Sequence, residues 1–487
     1  MIEVEKINES FIKIHCEDDI AKELSMFFTF KVPNHEYTPA FRKKKWDGKI
    51  RLFNFAARTI YTGLLEYVEK FFVDRNYQYK LLFNEKKKIN SEEILDWISN
   101  QKIFSNKKEL IPHQYQIDAV VRAITSKRIL LISPTGSGKS LIIYLILRYL
   151  MENTDKKHLI IVPTTGLVTQ LYHDFSDYCN KDPSFLRQIH VLFSGKEKTT
   201  NKRITISTWQ SIFRESESFF DQFDSIFGDE CHLFKAKSLI SLVRKMKTTE
   251  YRIGTTGTLD NTQAHKLIIE GLFGRSYSVT TTKDLIDDKI LSQLTIKNIL
   301  LNYPNYPKRL KYADEMEWLI TNEDRNNFIA DLATNIKGNV LVLFNYVERH
   351  GIPLYEKIKA KNKKDVFQIH GKTDVDEREL IRNIVNKHDS SVLVASYGTC
   401  STGINIKNIH AIIFASPSKS VVRVLQSIGR GLRKSDTKDK VTVYDIGDDL
   451  HYLSYRNHTL RHMDERLTIY NKEKFNYTVL KIRLGEK

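Results

Sequence analysis

At 487 residues the chain is too long for one ordinary core and has room for about three or four domains. A hydrophobic fraction of 41%, with 26 Phe and 23 Tyr, is that of a globular protein, and a formal charge of +17 favours a polyanionic partner, nucleic acid before an anionic membrane surface. A membrane or secreted role is disfavoured. The longest apolar run, "LIIYLILRYL", is about half a bilayer span, and "MIEVEKINESF" lacks a signal peptide's apolar core. Cys16, Cys179, Cys231 and Cys400 are too scattered for a disulfide framework or a zinc site, so a reducing cytoplasm is expected.

Residues 1–95 read as a small, basic α+β domain for nucleic-acid recognition. They hold short alternating stretches, "SFIKIHC", "GKIRLFN" and "TIYTGLL". Within them "FRKKKWDGKIRLF" sets Arg42, Lys43, Lys44 and Lys45 beside Trp46. Most charge runs are solvated faces, so this one gains meaning only from its neighbours. "WDGK" is expected to form a hairpin turn, with Asp47-Gly48 at its tip and charge on both arms. The cations would hold phosphates. Trp46 would either stack on a base or wedge a junction open, or else be a core aromatic under a basic surface.

From about residue 110 short β-branched runs alternate with helical stretches: "RILLIS", "HLIIVPT", "RITIST", "FDSIFGDE" and "YRIGTTGT". A second series follows "NYPNYPKRLKYADE", with "NVLVLFN", "SVLVASY", "HAIIFAS" and "VTVYDIG". Runs of this length between helices imply two tandem α/β domains with parallel sheets, at 96–310 and 311–448. Residues 449–487 are expected to be a mainly helical extension, with "YTVLKIRL" strand-like at its end.

"LLISPTGSGKSLIIYLIL" places a glycine-rich turn between a strand and a helix, the context of a phosphate loop. Backbone N–H groups of Pro134–Ser140 (Thr135, Gly136, Ser137 and Gly138 within them; Pro134 itself has none) would wrap the phosphates of ATP. Lys139 would neutralise the outer phosphates, and the Ser140 hydroxyl would ligate Mg2+. Ser133 stands where the usual pattern has its first glycine. At the end of a later buried strand come Asp229, assigned to the metal, and Glu230, assigned to the attacking water.

"DECH", residues 229–232, resembles motif II of superfamily 2 helicases and translocases in its DExH form, and other motifs of that family follow in order over roughly residues 110 to 450. "PHQYQ" resembles the adenine-reading motif, with Gln116 the matching residue. "VPTTGLVTQ" and "ISTWQSI" are similar to strand-contacting motifs, with Thr164 and Thr208 as phosphate contacts. "TTGTL" departs mildly from Ser/Thr-Ala-Thr, with Gly257 in the middle. "YGTCSTGINI" resembles motif V, with Thr399 as a strand contact, and "QSIGRGLR" resembles motif VI. The resemblance implies two RecA-like motor domains. Arg430 and Arg433, three apart on one helical face, would be arginine fingers, left unranked, and Gln426 would sense the nucleotide. It also implies that His232 and Thr256 couple hydrolysis to movement.

The expected activity is therefore an ATP hydrolase, an ATP-dependent DNA helicase or translocase that remodels branched DNA in recombination, repair and replication. An RNA helicase stays open, because no residue here distinguishes a 2′-hydroxyl. A scaffold without turnover would have no chemical need for Lys139, Glu230, Arg430 and Arg433. The sequence names no protein partner.

Overall fold

The protein is described here from a computed structural model covering residues 1–33, 35–83, 89–193, 197–234, 236–259, 262–303, 309–399, 406–417, 420–432 and 438–484, without the side chains of 375, 421–423 and 430. It divides into two compact units, one of Met1–Ser133 with Gly138–Val279, the other of Pro134–Ser137 with Thr280–Lys487.

In the first unit, β1 (Ile2–Lys6), β2 (Phe11–His15), β5 (Thr59–Tyr61) and β6 (Tyr79–Leu81) form a small mixed sheet in the order β5-β2-β1-β6. A separate antiparallel pair, β3 (Thr29–Lys31) and β4 (Lys49–Arg51), carries the basic run in its long connection. A second, short pair is β7 (Phe104–Ser105) with β8 (Lys108–Glu109). The larger sheet is wholly parallel. Its strands are β9 (Arg128–Ile132), β10 (Lys157–Val162), β11 (Ile189–Leu192), β12 (Ile204–Thr208), β13 (Phe223–Gly228), β14 (Tyr251–Thr256) and β15 (Ser276–Ser278), in the order β11-β12-β10-β13-β14-β9-β15.

Side chains alternate across a strand, so successive residues of these apolar runs feed opposite faces. Leu130, Leu159, Ile161 and Ile226 join a core that runs without a break into the N-terminal block, through Val4, Ile12, Phe28, Leu64, Val68 and Phe72. Ile129, Leu131, Ile160, Val162, Ile206, Phe227 and Ile253 face the other way, against the helix Lys139–Asn153. The N-terminal block therefore covers one face of the motor sheet and shares its core. Residue 95 lies inside the helix Ser91–Ser99, whose Ile94 and Ile98 belong to the opposite face.

Polar contacts reinforce that seam. Glu9 on the N-terminal side pairs with Arg128 of β9. The fully buried Arg252 of β14 donates to the Ser10 hydroxyl at 2.9 Å. Tyr67 donates to the buried Glu270 at 2.8 Å.

The second unit repeats the parallel design with β16 (Gln293–Asn302), β17 (Val340–Phe344), β18 (Asp365–Ile369), β19 (Ser391–Ser396), β20 (Ala411–Phe414), β21 (Lys440–Asp449) and β22 (Tyr477–Arg483), ordered β18-β19-β17-β20-β21-β16-β22. The helix His458–Lys472 starts on a buried carboxylate: Glu315 accepts from the backbone N–H of His458 at 2.9 Å and of Thr459 at 2.7 Å. A negative group is favoured at that positive helix end. After the helix the chain adds β22 alongside β16. Among the described residues no helix is long and apolar enough to cross a membrane.

Candidate nucleotide and nucleic-acid site

The sheet order of the first unit sets five motifs side by side. The strand leading to the phosphate loop, β9, neighbours β14, which carries Thr255 and Thr256. Next comes β13, which leads to Asp229, then β10, which leads to Thr164, then β12, which ends at Thr208. At about 4.8 Å per strand, the phosphate loop and the far threonine are separated by roughly 19 Å along one edge. In parallel sheets this carboxyl edge is where ligands bind.

In the phosphate loop Gly136 and Gly138 both have left-handed φ, 88° and 80°. Gly138 has a second reason to be glycine, because a Cβ there would lie 2.3 Å from the Gln116 amide nitrogen. Gln116 is thus brought to the loop, and its amide oxygen accepts from the His113 N–H at 2.9 Å. Lys139 reaches back to the Ser133 carbonyl at 3.1 Å, and the Ser137 hydroxyl to the Pro134 carbonyl at 2.7 Å. The Ser140 hydroxyl lies 2.8 Å from the phenol of Tyr178.

Asp229 is half-buried, and it accepts from the Thr255 hydroxyl at 2.8 Å and from the Glu230 N–H at 2.9 Å. Burial, and then the charge of Glu230, push its carboxyl above the ordinary range, while Lys139 and Thr255 oppose them. Two carboxylates crowded beside one lysine are chemistry that a divalent cation would relieve. Among the described residues no group of three or more His, Cys, Asp or Glu side chains could hold a metal.

Glu230 adopts φ 53° and ψ 50°, a left-handed conformation that side-chain-bearing residues rarely take. Such strain concentrates at functional sites. It places the Glu230 carboxylate 3.3 Å from His232 Nδ1, which lies 3.2 Å from the Thr256 hydroxyl. Thr256 in turn donates to the Thr258 carbonyl at 2.9 Å. The residues read as coupling groups are therefore one connected chain. Cys231 is packed away, its thiol pushed well up by burial.

The strand-contact threonines are less open than their sequence suggests. Thr164 caps the helix Thr165–Tyr178, accepting from the Leu167 N–H at 3.4 Å, and the exposed residues at that helix start are Thr165 and Gly166. Thr208 is only 5% exposed and its hydroxyl lies 2.9 Å from that of Ser211. Gln210, exposed beside it, donates to the Pro163 carbonyl at 3.4 Å and ties the two motifs together. In the second unit Thr399 is 7% exposed and pairs with the Ser396 hydroxyl at 2.8 Å. Gln426 is buried on the helix Val421–Gly431. The Arg430 side chain and Arg433 lie outside the described residues.

The basic run does not form the expected hairpin tip. A short helix, Pro39–Arg42, capped by Thr38, leads into a turn through Lys44 at φ 54°, and only Lys49–Arg51 enter a strand. Instead the Gly48 carbonyl accepts from the Val32 N–H at 2.9 Å and Lys49–Arg51 pair with Thr29–Lys31, so Asp47-Gly48 enter β4 from a long connection; Gly48 has φ 79°, and a Cβ there would meet the buried His35 ring at 2.0 Å. Asp47 accepts from the Lys49 N–H at 3.1 Å and pairs with Arg51, whose guanidinium holds the Asp47 carboxyl at about 2. The result is a cleft of about 650 Å3 lined by Glu36, Phe41, Arg42, Lys44, Lys45, Trp46 and Asp47. Trp46 is half-buried, and its indole N–H is fixed on the Lys49 carbonyl at 2.8 Å. Lys43 is exposed outside the cleft. The ammonium groups of Lys43, Lys44 and Lys45 make no hydrogen bond or ion pair among the described residues.

Residues 2–84 match the family described as "DNA helicase UvsW, N-terminal", 109–261 match "Type III restriction enzyme, res subunit", and 324–435 match "Helicase conserved C-terminal domain". The chain is 34% identical to the ATP-dependent DNA helicase uvsW of Enterobacteria phage T4, over 98% of each chain. It is 23% identical to the DNA 3'-5' translocase XPB2 of Sulfurisphaera tokodaii, over 66% of this chain and 78% of that protein. The crystal structure of T4 UvsW is similar at a TM-score of 0.53, with 31% identity and 99% of both chains covered.

Proposed function

The chain belongs to the UvsW family of ATP-dependent DNA helicases, and from that premise we propose that it uses ATP hydrolysis to remodel branched DNA. The observation that carries this reading is the motif order along one sheet edge, phosphate loop to strand contact, in a unit whose core continues into the N-terminal block that carries a basic cleft.

In this proposal the loop N–H groups and Lys139 hold the phosphates of ATP, while Gln116 and Gln426 meet the nucleotide. Ser140 and Asp229 would hold Mg2+, which when bound neutralises charge on the β- and γ-phosphates. Glu230 orients the attacking water, and Arg430 and Arg433 serve as arginine fingers. His232 and Thr256 relay the state of Glu230 to the neighbouring strand end. Thr164, Thr208 and Thr399 mark where backbone phosphates are gripped without reading bases. Arg42, Lys43, Lys44 and Lys45 bind phosphates at a junction, and the fixed face of Trp46 offers a stacking surface.

The test is steady-state ATP hydrolysis without nucleic acid and with single-stranded DNA, duplex, a four-way junction and matched RNA, alongside Glu230→Gln. Stimulation greatest on the junction, and lost in the variant, is expected. Stimulation by RNA alone, or hydrolysis that survives in the variant, would overturn it.

A further inference from the structure

We propose that Tyr178 positions the metal-ligating hydroxyl of Ser140, accepting a hydrogen bond from its O–H so that an oxygen lone pair is left for the cation. The inference rests on the reading of Ser140 as a Mg2+ ligand.

The geometry is direct. Tyr178 is the last residue of the helix Thr165–Tyr178, and its phenol oxygen lies 2.8 Å from the Ser140 hydroxyl. Ser140 and Tyr144 stand one turn apart on the helix Lys139–Asn153, and the Tyr178 ring packs on that of Tyr144, with centroids 5.4 Å apart. The phenol is thus held against the same helical face that presents Ser140.

A serine hydroxyl has one proton and two lone pairs. To ligate a cation it must turn a lone pair inward and send its proton elsewhere. A tyrosine oxygen can accept that hydrogen bond only if its own O–H points away. Asp174 lies one turn earlier on the same helix, and its negative charge reaches the phenol. In this proposal the phenolic O–H turns to the Asp174 side, which its negative charge favours, and the phenol oxygen is left facing Ser140. The same helix begins at the Thr164 cap, roughly 21 Å away at 1.5 Å per residue. One rigid element therefore has the strand-contact motif at one end and the partner of the metal ligand at the other.

Tyr178→Phe keeps the ring and removes only the hydroxyl. The experiment measures the affinity of a fluorescent ADP analogue across a Mg2+ titration and in excess chelator, for the parent chain, Tyr178→Phe, Ser140→Ala and the double variant. One net hydrogen bond predicts that Tyr178→Phe weakens Mg2+-dependent binding about three- to tenfold. Affinity in chelator and the melting temperature should be unchanged. Tyr178→Phe should add little once Ser140 is alanine. Asp174→Asn, which leaves the phenol in place, should shift the Mg2+ midpoint in the same direction. A normal Mg2+ midpoint in Tyr178→Phe, with a shifted one in Ser140→Ala, would overturn the role of Tyr178 alone. A normal midpoint in Ser140→Ala would remove the metal role of Ser140 and this inference with it. An equal loss of affinity with and without Mg2+ would reduce Tyr178 to a packing residue.

Discussion

Replacing Glu9 by Gln should unfasten the N-terminal block from the motor sheet. Glu9 is 14% exposed at its side chain and Arg128 15%, and the fully buried Arg252 lies close enough for its charge to be felt at both. Glu9 is thus the carboxylate paired directly with Arg128, with Glu250 adding a second negative charge near that guanidinium. Burial pushes the Glu9 carboxyl up, but Arg128 and Lys6 more than offset this and hold it below its ordinary range. Removing one member of such a pair strands the other charge and costs about 3–5 kcal/mol. At roughly 2–4 °C per kcal/mol for a unit of this size, the melting temperature should fall by on the order of 10 °C. Differential scanning calorimetry at neutral pH reads the shift, and limited proteolysis reads which segment opens first, expected near residues 1–83. Pairing Glu9→Gln with Arg128→Met should recover part of the loss, because the orphaned charge is gone. A melting temperature within about 1 °C of the parent, with unchanged proteolysis, would refute the idea that this ion pair holds the seam.

Neutralising Lys43, Lys44 and Lys45 to Gln should remove the preference for junctions while single-stranded DNA still stimulates hydrolysis; if each cation releases one counterion, the salt slope of junction binding should fall by about 2.7. Gly48→Ala should cost at least about 1 kcal/mol, since φ of 79° and the His35 ring both oppose a Cβ, and chemical denaturation together with junction affinity would check it. Acid should destabilise both units. Burial lowers His158 and His350 to about 3, so the unfolded chain binds more protons below about pH 6.5 and stability falls as pH drops through that window. Going from pH 7.5 to 5 should cost about 2 kcal/mol per histidine; urea unfolding of His158→Gln and His350→Gln should show a shallower pH dependence than the parent.

The buried strands were legible because parallel sheets need uninterrupted β-branched runs: "RILLI", "LIIV", "ITIST", "VLVLF" and "SVLVAS" each became a strand. What escaped was the edges and the ends. Ile189–Leu192 and Asp365–Ile369 are half-exposed outer strands without that signature, and Ser276–Ser278 is only three residues long. In Gln293–Asn302 polar residues interrupt the apolar ones, so "QLTIKNILLN" does not read as a central strand. At the candidate site, the glycine-rich turn between strand and helix and the adjacent acidic pair were legible because each is local in sequence. The left-handed backbone of Glu230, the Thr255 bond to Asp229 and the Tyr178–Ser140 pair were not, since each depends on contacts made only by the fold. The basic run shows both limits: its charge was plain, but the pairing of Lys49–Arg51 with the distant Thr29–Lys31 is visible only in three dimensions.

The position of β16 has a consequence for how the second unit is made. Its first strand lies between its last two, β21 and β22, and Asn298 on β16 bonds the Thr478 carbonyl 180 residues further on. Ribosomes add about 5–20 residues per second, so β16 leaves the exit tunnel and waits roughly 10–40 s for its outer neighbour. During that interval a strand carrying the buried Ile296, Ile299 and Leu301 has no permanent partner on that side, an open template for pairing with other nascent chains. Slowing translation after residue 302 should therefore lower the yield of correctly assembled protein, and ending the chain before Tyr477 should leave that strand as a permanently sticky edge.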